Sequence, residues 1–418
     1  MKKYDWAVVG SGIAGISIAE ILTRNGHDVI LIEKNNKLAS ETTRDFHEWL
    51  HTGALYTLIP DRLMTLRFIL GAIDDLIEFY SCYDNMNIVP TGSGLKINNS
   101  NQGWFNDEYI HFKYRLNKRK LFFPWLYGIA RSIYLIERIG EHDWLRRRAG
   151  EMRHYKIGRK KRIYNIVTEL IKNNNMFFDV QTTDFTINSR NLLKDMVTTS
   201  LSDGLELSLD NEIKSIKKEN RYKILNGSKE DIRSKNVVIC NGGVVSSLND
   251  IKAKTSYAPI AVVSGVSEND NSFVELDYFP KKCINLLKKD NGIGLAGGIS
   301  LSKKDKCNEY LDYVVREHQK INPNIKEVSR YIGHKNEVTN KRQNRSYLYH
   351  IINSDEGIWN IIPGKFTLAF SLAPEFYRRI YNVNPKKRHL TKTAEINSKT
   401  YVSNTVWKDS LNNLKRSQ

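Results

Sequence analysis

Cysteine is scarce in this chain of 418 residues, and the four that occur (Cys82, Cys240, Cys283 and Cys307) show no Cys-x-x-Cys spacing. This usage excludes a disulfide framework and a thiolate zinc site, and it predicts a cytoplasmic protein in a reducing compartment. Long apolar runs are also missing. No stretch of about 18 uncharged apolar residues occurs, so we expect no membrane-spanning helix. The ten histidines do not cluster with acidic residues, so no metal site is expected.

Acidic residues are in the minority, because 46 Asp and Glu stand against 64 Lys and Arg, a net charge of +18. Such an excess predicts an anionic partner: a small substrate, a membrane surface or nucleic acid. Much of it lies in residues 113–162, where sixteen basic residues accompany four acidic ones and aromatics such as Trp125 and Tyr127. This pattern is typical of peripheral binding to the inner face of an anionic membrane, and equally of a solvated helical face. Nucleic acid is the less favoured partner, because no binding module is recognisable.

The N-terminus carries a complete dinucleotide-binding unit: a short apolar strand over residues 4–9, a glycine turn, a helix and a second strand that ends at Glu33. Gly10 permits the tight turn, Gly12 lets the backbone approach a pyrophosphate, and Gly15 allows close helix–strand packing. An acidic Glu33 accepts hydrogen bonds from a ribose and disfavours a 2′-phosphate, so FAD or NAD is expected. This spacing favours a nucleotide site over a secretory signal. The predicted contacts are Gly10, Gly12, Ile13, Ala14, Gly15, Glu33 and Lys34.

The stretch from Ala39 to Tyr56 favours FAD over NAD. A small and polar run is followed by His51-Thr52-Gly53 and Tyr56, and then by an apolar pattern with helical spacing from Asp61 to Tyr80. Here the chain resembles the D-amino-acid-oxidase-like superfamily of FAD-dependent oxidoreductases, whose members include glycine oxidase and L-2-hydroxyglutarate dehydrogenase. The resemblance implies FAD as the cofactor, and the order of elements matches over residues 1–380.

Later segments resemble the parts of that family which return to the cofactor. Residues 185–190 look like the return into the FAD domain, 211–213 like the strand at the adenine, 237–243 like a second glycine turn, and 357–369 like the terminal flavin-facing loop. The further cofactor contacts that the resemblance implies are Thr42, Thr43, Arg44, Ile213, Asn241, Gly242, Gly364, Lys365, Phe366 and Thr367.

The resemblance also implies the reaction: hydride transfer from a CH–NH or CH–OH group of a small, anionic substrate to flavin N5. His51 is the candidate base, with a structural role in its loop as the alternative. Tyr56 either positions the substrate or packs. The family's Gly-Leu-Arg-Pro element is matched only by residues 333–336, so Lys335, Arg342 and Arg345 are the candidates for binding substrate charge. A flavin-dependent RNA-modifying enzyme and a non-enzymatic FAD-binding protein are the alternative functions.

Together these elements predict an α/β protein with a Rossmann-like FAD-binding domain and a second substrate domain, built on a mainly antiparallel sheet with a helical basic insertion. The FAD-binding domain is expected to be discontinuous and the tail to be loosely attached. The expected limits are 1–80, 185–255 and 335–384 for the FAD-binding domain, 81–184 and 256–334 for the substrate domain, and 385–418 for a basic C-terminal tail.

Overall fold

The computed structural model describes residues 2–51, 56, 64–91, 94–98, 103–106, 110–115, 177–181, 184–242, 254–277, 282–338, 347–388 and 401–417. The predicted basic insertion lies outside these residues except at 113–115, and Arg342 and Arg345 lie outside them too. Membrane binding by that insertion and a cytoplasmic location therefore stay predictions. Within the described residues, no helix is both long and apolar enough to cross a membrane.

Helices form where apolar residues recur at helical spacing. The first of them is buried along its whole length up to Thr23, because it lies between the sheet and two other helices. Asn188 caps another by accepting a hydrogen bond from the Asn191 amide at 3.2 Å. The helices are α1 (Ile13–Arg24), α2 (Thr42–Asp45), α3 (Met64–Tyr80), α4 (Ser189–Ser202), α5 (Cys307–Ile321), α6 (Ala369–Tyr381) and α7 (Val406–Ser417).

The strands belong to two large sheets and two antiparallel pairs of short strands. In chain order they are β1 (Lys3–Val9), β2 (Val29–Ile32), β3 (Trp49–Leu50), β4 (Ile88–Thr91), β5 (Gly94–Ile97), β6 (His111–Arg115), β7 (Phe177–Gln181), β8 (Phe185–Thr186), β9 (Glu206–Ser208), β10 (Ile213–Glu219), β11 (Tyr222–Gly227), β12 (Ile232–Ile239), β13 (Lys254–Ser264), β14 (Phe273–Asp277), β15 (Cys283–Lys288), β16 (Ile293–Gly298), β17 (Lys326–Glu337), β18 (His350–Asp355) and β19 (Ile358–Ile362).

The first sheet has β1 at its centre, paired in parallel with β2 on one side and β12 on the other. β9 continues the parallel arrangement beside β2, and β19 lies parallel to the second half of β12. Because parallel strands end at the same edge of a sheet, the carboxyl ends of β1, β2 and β12 lie together. The Rossmann-like arrangement predicted from the glycine turn is confirmed.

The second sheet has the order β17-β13-β16-β15-β14-β6-β7, and every pair except β14–β6 is antiparallel. α5 packs on one face through Leu311, Val314 and Val315. The mainly antiparallel second sheet is therefore confirmed. The domain limits stay a prediction. β17 continues through Glu337, so the proposed limit after residue 334 falls inside a strand of this sheet.

The expectation of a loosely attached C-terminal tail is wrong for residues 401–417. Val402 and Trp407 are buried, and Val402 forms a parallel bridge with Leu38. The Trp407 indole donates a hydrogen bond to Glu48 at 3.0 Å. The polar composition of the tail did not indicate this attachment, because two buried apolar residues and a few polar contacts are enough to hold a short segment on the protein.

His318 on α5 should make the stability of the protein depend on pH. Burial lowers the pKa of His318 from 6.5 to about 4, against the opposing hydrogen bond of its Nε2 with the Asn285 carbonyl at 3.0 Å. Between pH 4 and pH 6.5 the imidazole is neutral in the folded state and protonated in the unfolded state, so its contribution to stability is full above pH 6.5 and is lost as pH falls towards 4. In wild-type protein we expect the melting temperature to fall over that window.

His318→Gln should reduce this fall, because a glutamine amide keeps a donor for the Asn285 carbonyl but does not titrate. The measurement is melting temperature by circular dichroism from pH 8 to pH 4. The difference at pH 8 reports the packing cost alone and serves as the internal control. An identical slope in wild type and variant would show that His318 does not contribute.

Candidate active site

A cavity of about 420 Å³ lies at the carboxyl ends of β1, β2 and β12 and extends to the second sheet. Its walls are the turn after β1, the start of β10, the segment around α2, one face of β15 to β17, and the loop before α6. In open parallel sheets, ligands bind at this edge. The cavity is thus the candidate site for both a dinucleotide and a substrate.

The three glycines of the turn after β1 have two different roles. Gly10 and Gly15 allow close packing, and Gly12 keeps the cavity open. A Cβ on Gly15 would lie 1.8 Å from the Gly10 carbonyl oxygen, and Gly10 itself has φ +97°. Gly10 and Gly15 are therefore required by the tight strand–helix contact. A Cβ on Gly12, in contrast, would meet only the Thr43 Oγ1 at 3.3 Å, and Gly12 lines the cavity. Gly12 keeps the cavity wall open.

The N-terminus of α1 suits a bound phosphate group. Gly12 provides no side-chain cap, and the first turn holds no acidic residue. The Ile13 amide donates to Thr43 Oγ1 at 3.0 Å, which joins this turn to α2. Amides at a helix start and the helix dipole together favour an anion, so the pyrophosphate of FAD fits here.

Glu33 lies at the end of β2 as predicted, buried and on the cavity wall. Its Oε2 accepts hydrogen bonds from the amide and hydroxyl of Ser11, and its Oε1 accepts them from the amide and side chain of Asn35. These donors hold the carboxylate towards the cavity. Beside it, Lys34 lines the cavity and pairs with Glu41.

Other cofactor contacts implied by the sequence also meet at the cavity. Asn241 follows β12, and Gly242 has φ +54° with open space where a Cβ would point. Gly364 must be glycine, since a Cβ would lie 2.2 Å from the Tyr347 carbonyl oxygen. The residues of this set that line the cavity are Gly10, Gly12, Ile13, Ala14, Glu33, Lys34, Thr42, Thr43, Ile213, Asn241, Gly242, Gly364, Lys365 and Phe366.

Three predicted cofactor residues do not line the cavity, although each lies next to residues that do. Gly15 packs beneath the turn. The Arg44 guanidinium pairs with Asp409 at 2.7 Å. The Thr367 hydroxyl accepts a hydrogen bond from the His51 amide at 2.8 Å. Their direct contact with the cofactor stays a prediction, and Arg342 cannot be placed because it lies outside the described residues.

His51 is held in an aromatic wall of the cavity. Its ring lies 4.1 Å from that of Trp49 and 5.2 Å from that of Tyr56, between centroids. Its Nδ1 lies 3.7 Å from the Asp184 carboxylate, which also accepts a hydrogen bond from the Trp49 indole at 2.9 Å. Burial lowers the pKa of His51 to about 4, and nearby Lys365 and Lys335 add to this shift while Asp184 opposes it. The imidazole is therefore neutral at pH 7.

Two lysines give this end of the cavity its positive charge. Lys335, on β17, pairs with Glu337 and lines the cavity. The Lys365 ammonium lies 4.9 Å from the ring centre of Tyr347 and 5.7 Å from that of Tyr56. Such contacts with aromatic faces help to hold the ammonium group in place.

His47 and Asn285 are two of the polar cavity residues that lie outside the predicted set of site residues. His47 lines the cavity, and burial lowers its pKa to about 3, with further lowering by Lys289 and Lys365. Its Nε2 lies 2.4 Å from where a Cβ on Gly297 would be. Asn285, on β15, also lines the cavity. His47 stands in the stretch that resembles the family, where the sequence makes it a minor candidate, with His51, for a covalent bond to flavin, whereas no motif surrounds Asn285.

Among the described residues, no group of His, Cys, Asp and Glu is arranged to hold a metal ion. The class of protein follows from the fold and this cavity: a dinucleotide-binding protein with a second sheet that closes its site.

A family model described as FAD dependent oxidoreductase, DAO, matches residues 5–272, which is more than half of the chain. The chain belongs to this family. It is accordingly an FAD-dependent enzyme, and the uncapped helix start, the open Gly12 and the cavity-lining Glu33 fit that cofactor. The resemblance read from the sequence is confirmed.

Solved structures with the same fold cover nearly the whole chain at low sequence identity. L-α-glycerophosphate oxidase from Mycoplasma pneumoniae, solved with FAD bound, is 15% identical, with 93% of this chain and 97% of that chain covered and a TM-score of 0.61. Glycine oxidase from Geobacillus kaustophilus is 12% identical, with 94% and 97% covered and a TM-score of 0.59. L-amino acid deaminase from Proteus myxofaciens is 12% identical, with 93% and 92% covered and a TM-score of 0.63. No curated protein sequence shows a significant match.

Gly12→Leu should yield a folded protein that lacks flavin, because the new side chain points into the cavity where the pyrophosphate binds. The measurement is the ratio of visible flavin absorbance to protein, with circular dichroism as the test of folding. Gly15→Leu is the contrasting variant and should unfold the protein, since its Cβ would overlap the Gly10 carbonyl. Normal flavin content in folded Gly12→Leu would refute this assignment.

Proposed function

We propose that the enzyme oxidises a CH–NH or CH–OH group of a small, anionic substrate by hydride transfer to flavin N5. The observation that carries the proposal is the pair of cations, Lys335 and Lys365, beside a buried and neutral His51 in one cavity. FAD bound in the cavity supplies the hydride acceptor.

The charges of the side chains around His51 favour an anionic substrate. His51 and His47 are neutral, and Asp184 is the acid that opposes the lysines at His51. Lys335 is partly balanced by Glu337 on its own strand. An anionic group beside Lys365 would offset positive charge in a mostly buried site, whereas a cationic substrate would add to it.

The names of the structural relatives agree with this class, since they refer to glycerophosphate, glycine and L-amino acids. Each of these is a small molecule with an acidic group. Because identity to those proteins is below 16%, the individual substrate is not transferred from any of them.

His51 is the proposed general base, a role supported by its place in the cavity lining and its neutral imidazole. A neutral imidazole accepts a proton from a substrate N–H or O–H, and the Asp184 carboxylate near Nδ1 stabilises the imidazolium that results. The Trp49 and Tyr56 rings fix the orientation of the imidazole. Its low pKa makes it a weak base in the resting protein, and a substrate anion near the two lysines would raise that pKa by offsetting their charge.

An anaerobic screen tests the function. The holoenzyme is mixed with amino acids, hydroxy acids and glycerol phosphates, and bleaching of the flavin absorbance is followed. We expect at least one acid to bleach the flavin, and its neutral methyl ester or amide to do so at least tenfold more weakly, since each 1.4 kcal/mol of lost binding is about tenfold. Equal bleaching by acid and ester would contradict an anionic substrate.

His51→Ala should slow flavin reduction by about 10²–10⁴-fold, the usual contribution of a positioned base, with FAD content nearly unchanged. The measurement is stopped-flow reduction with the donor found in the screen. His27→Ala, which alters a half-buried histidine that packs against Tyr377 and Tyr381 and does not line the cavity, is the matched control and should be reduced at the wild-type rate. An unchanged rate in His51→Ala would leave His51 only a structural role.

A further inference from the structure

We propose that residues 401–417, here called the C-terminal strap, hold FAD in the enzyme by fixing residues 38–48, here called the flavin-binding segment. Trp407 and Asp409 are then positioning residues for the cofactor, although neither lines the cavity. The proposal uses the binding of FAD and is independent of the substrate.

The first contact between strap and segment is a backbone bridge. The Leu38 amide donates to the Tyr401 carbonyl at 2.8 Å, and the Ser403 amide donates to the Leu38 carbonyl at 3.0 Å. The Ser403 hydroxyl donates to the Ala39 carbonyl at 2.8 Å. Ala39 has φ +54°, so this turn is backbone held in a conformation that an alanine rarely adopts. The strap supplies the Ser403 hydrogen bond to this turn, and the Ala39 amide donates to Ser11 on the other side.

A buried arginine extends this contact to the other end of the segment. Arg190, at the start of α4, donates to the carbonyls of Ser403 at 2.8 Å and Thr43 at 3.1 Å. Thr43 in turn accepts the Ile13 amide at the start of α1. A chain of hydrogen bonds thus joins the strap to the helix start that faces the pyrophosphate.

Trp407 provides the contact that reaches the second sheet. Its indole donates to Glu48 Oε2 at 3.0 Å, and Lys289, after β15, donates to the same oxygen at 2.9 Å. All three residues are buried. Loss of the indole N–H would leave part of a buried carboxylate charge without a donor, which is costly.

Asp409 of the strap forms an ion pair with the flavin-binding segment. Its carboxylate pairs with the Arg44 guanidinium at 2.7 Å, with both side chains about one-third exposed. Arg44 belongs to α2, whose Thr42 and Thr43 line the cavity. This ion pair and the Trp407 bond hold α2 and Glu48 from the same helix, α7.

Within the flavin-binding segment, the residues that line the cavity differ from those that contact the strap, except for Glu48. Ser40–Thr43 and Phe46–His47 line the cavity, whereas the strap contacts Leu38, Ala39 and Arg44, and Glu48 belongs to both sets. Whatever orders this segment lowers the entropic cost for the other partner, so the coupling must be reciprocal. FAD should stabilise the strap, and the strap should slow the loss of FAD.

The test compares FAD release from full-length holoenzymes. Trp407→Phe keeps the ring but removes the donor to Glu48, and Asp409→Asn removes the charge that faces Arg44. After dilution, released FAD is followed by the rise in free-flavin fluorescence. Compared with wild type, this rise should be about tenfold faster in Trp407→Phe and a few-fold faster in Asp409→Asn. In wild type, hydrogen exchange at the Ser403 amide should be slower with FAD than without it.

Trp6→Phe is the matched control, because it also removes a buried indole donor, to the Tyr381 hydroxyl at 2.8 Å, at a residue that does not line the cavity. Asp355→Asn, in an exposed pair with Lys218, is the control for the aspartate. Both controls should lose FAD at the wild-type rate even where Trp6→Phe lowers the melting temperature.

Equal rates of FAD release from Trp407→Phe and Trp6→Phe would overturn the proposal. So would hydrogen exchange at the Ser403 amide that is unaffected by FAD. Asp409→Asn, at a partly exposed site, keeps the test open if Trp407→Phe does not fold.

Discussion

The buried ion pair of Glu48 and Lys289 is the contact on which the arrangement of this enzyme depends. Glu48 has φ +60°, and its carboxylate accepts hydrogen bonds from the Ser189 amide and hydroxyl, the Lys289 ammonium and the Trp407 indole. Burial raises its pKa, but Lys289 and Ser189 outweigh burial and lower it to about 2. The charge is therefore kept, and removal of any donor would leave it poorly compensated in the interior. One side chain thereby joins the start of α4, the second sheet and the C-terminal helix.

This contact matters for chemistry because Glu48 stands between residues that line the site. His47 precedes it, and Trp49 and His51 follow within three positions. Their distances to the second sheet, which brings Lys335 and Asn285, are thus set by a pair that is itself buried. Burial, with a smaller contribution from the cationic lysines, lowers the pKa values of His47 and His51 and keeps both neutral, and neutral histidines are suited to accept protons. Structure and electrostatics come from the same contacts, those that α2, α7 and Glu48 make with the second sheet.

The family fold persists here at sequence identities of 10–15% to the solved relatives. What persists is the part that local geometry demands: glycines where a Cβ would meet backbone, an acid at the end of β2, and apolar residues on α1. The residues that face a substrate are under no such geometric demand. Membership of the family therefore defines the cofactor and the enzyme class, while substrate choice rests on the side chains of this particular cavity.

The sequence by itself determined the cofactor unit. The spacing of Gly10, Gly12 and Gly15 and the acid at Glu33 depend on sterics within one strand–turn–helix unit, so a local pattern contains the information. The pattern also placed His51 and Lys335 among the candidates. Only the tertiary structure decided that His51 meets Asp184, that Asn285 reaches the same cavity, and that the polar tail docks through Trp407. Such contacts join residues far apart in the chain, and which distant partners meet is decided by how the two sheets and the final helix pack.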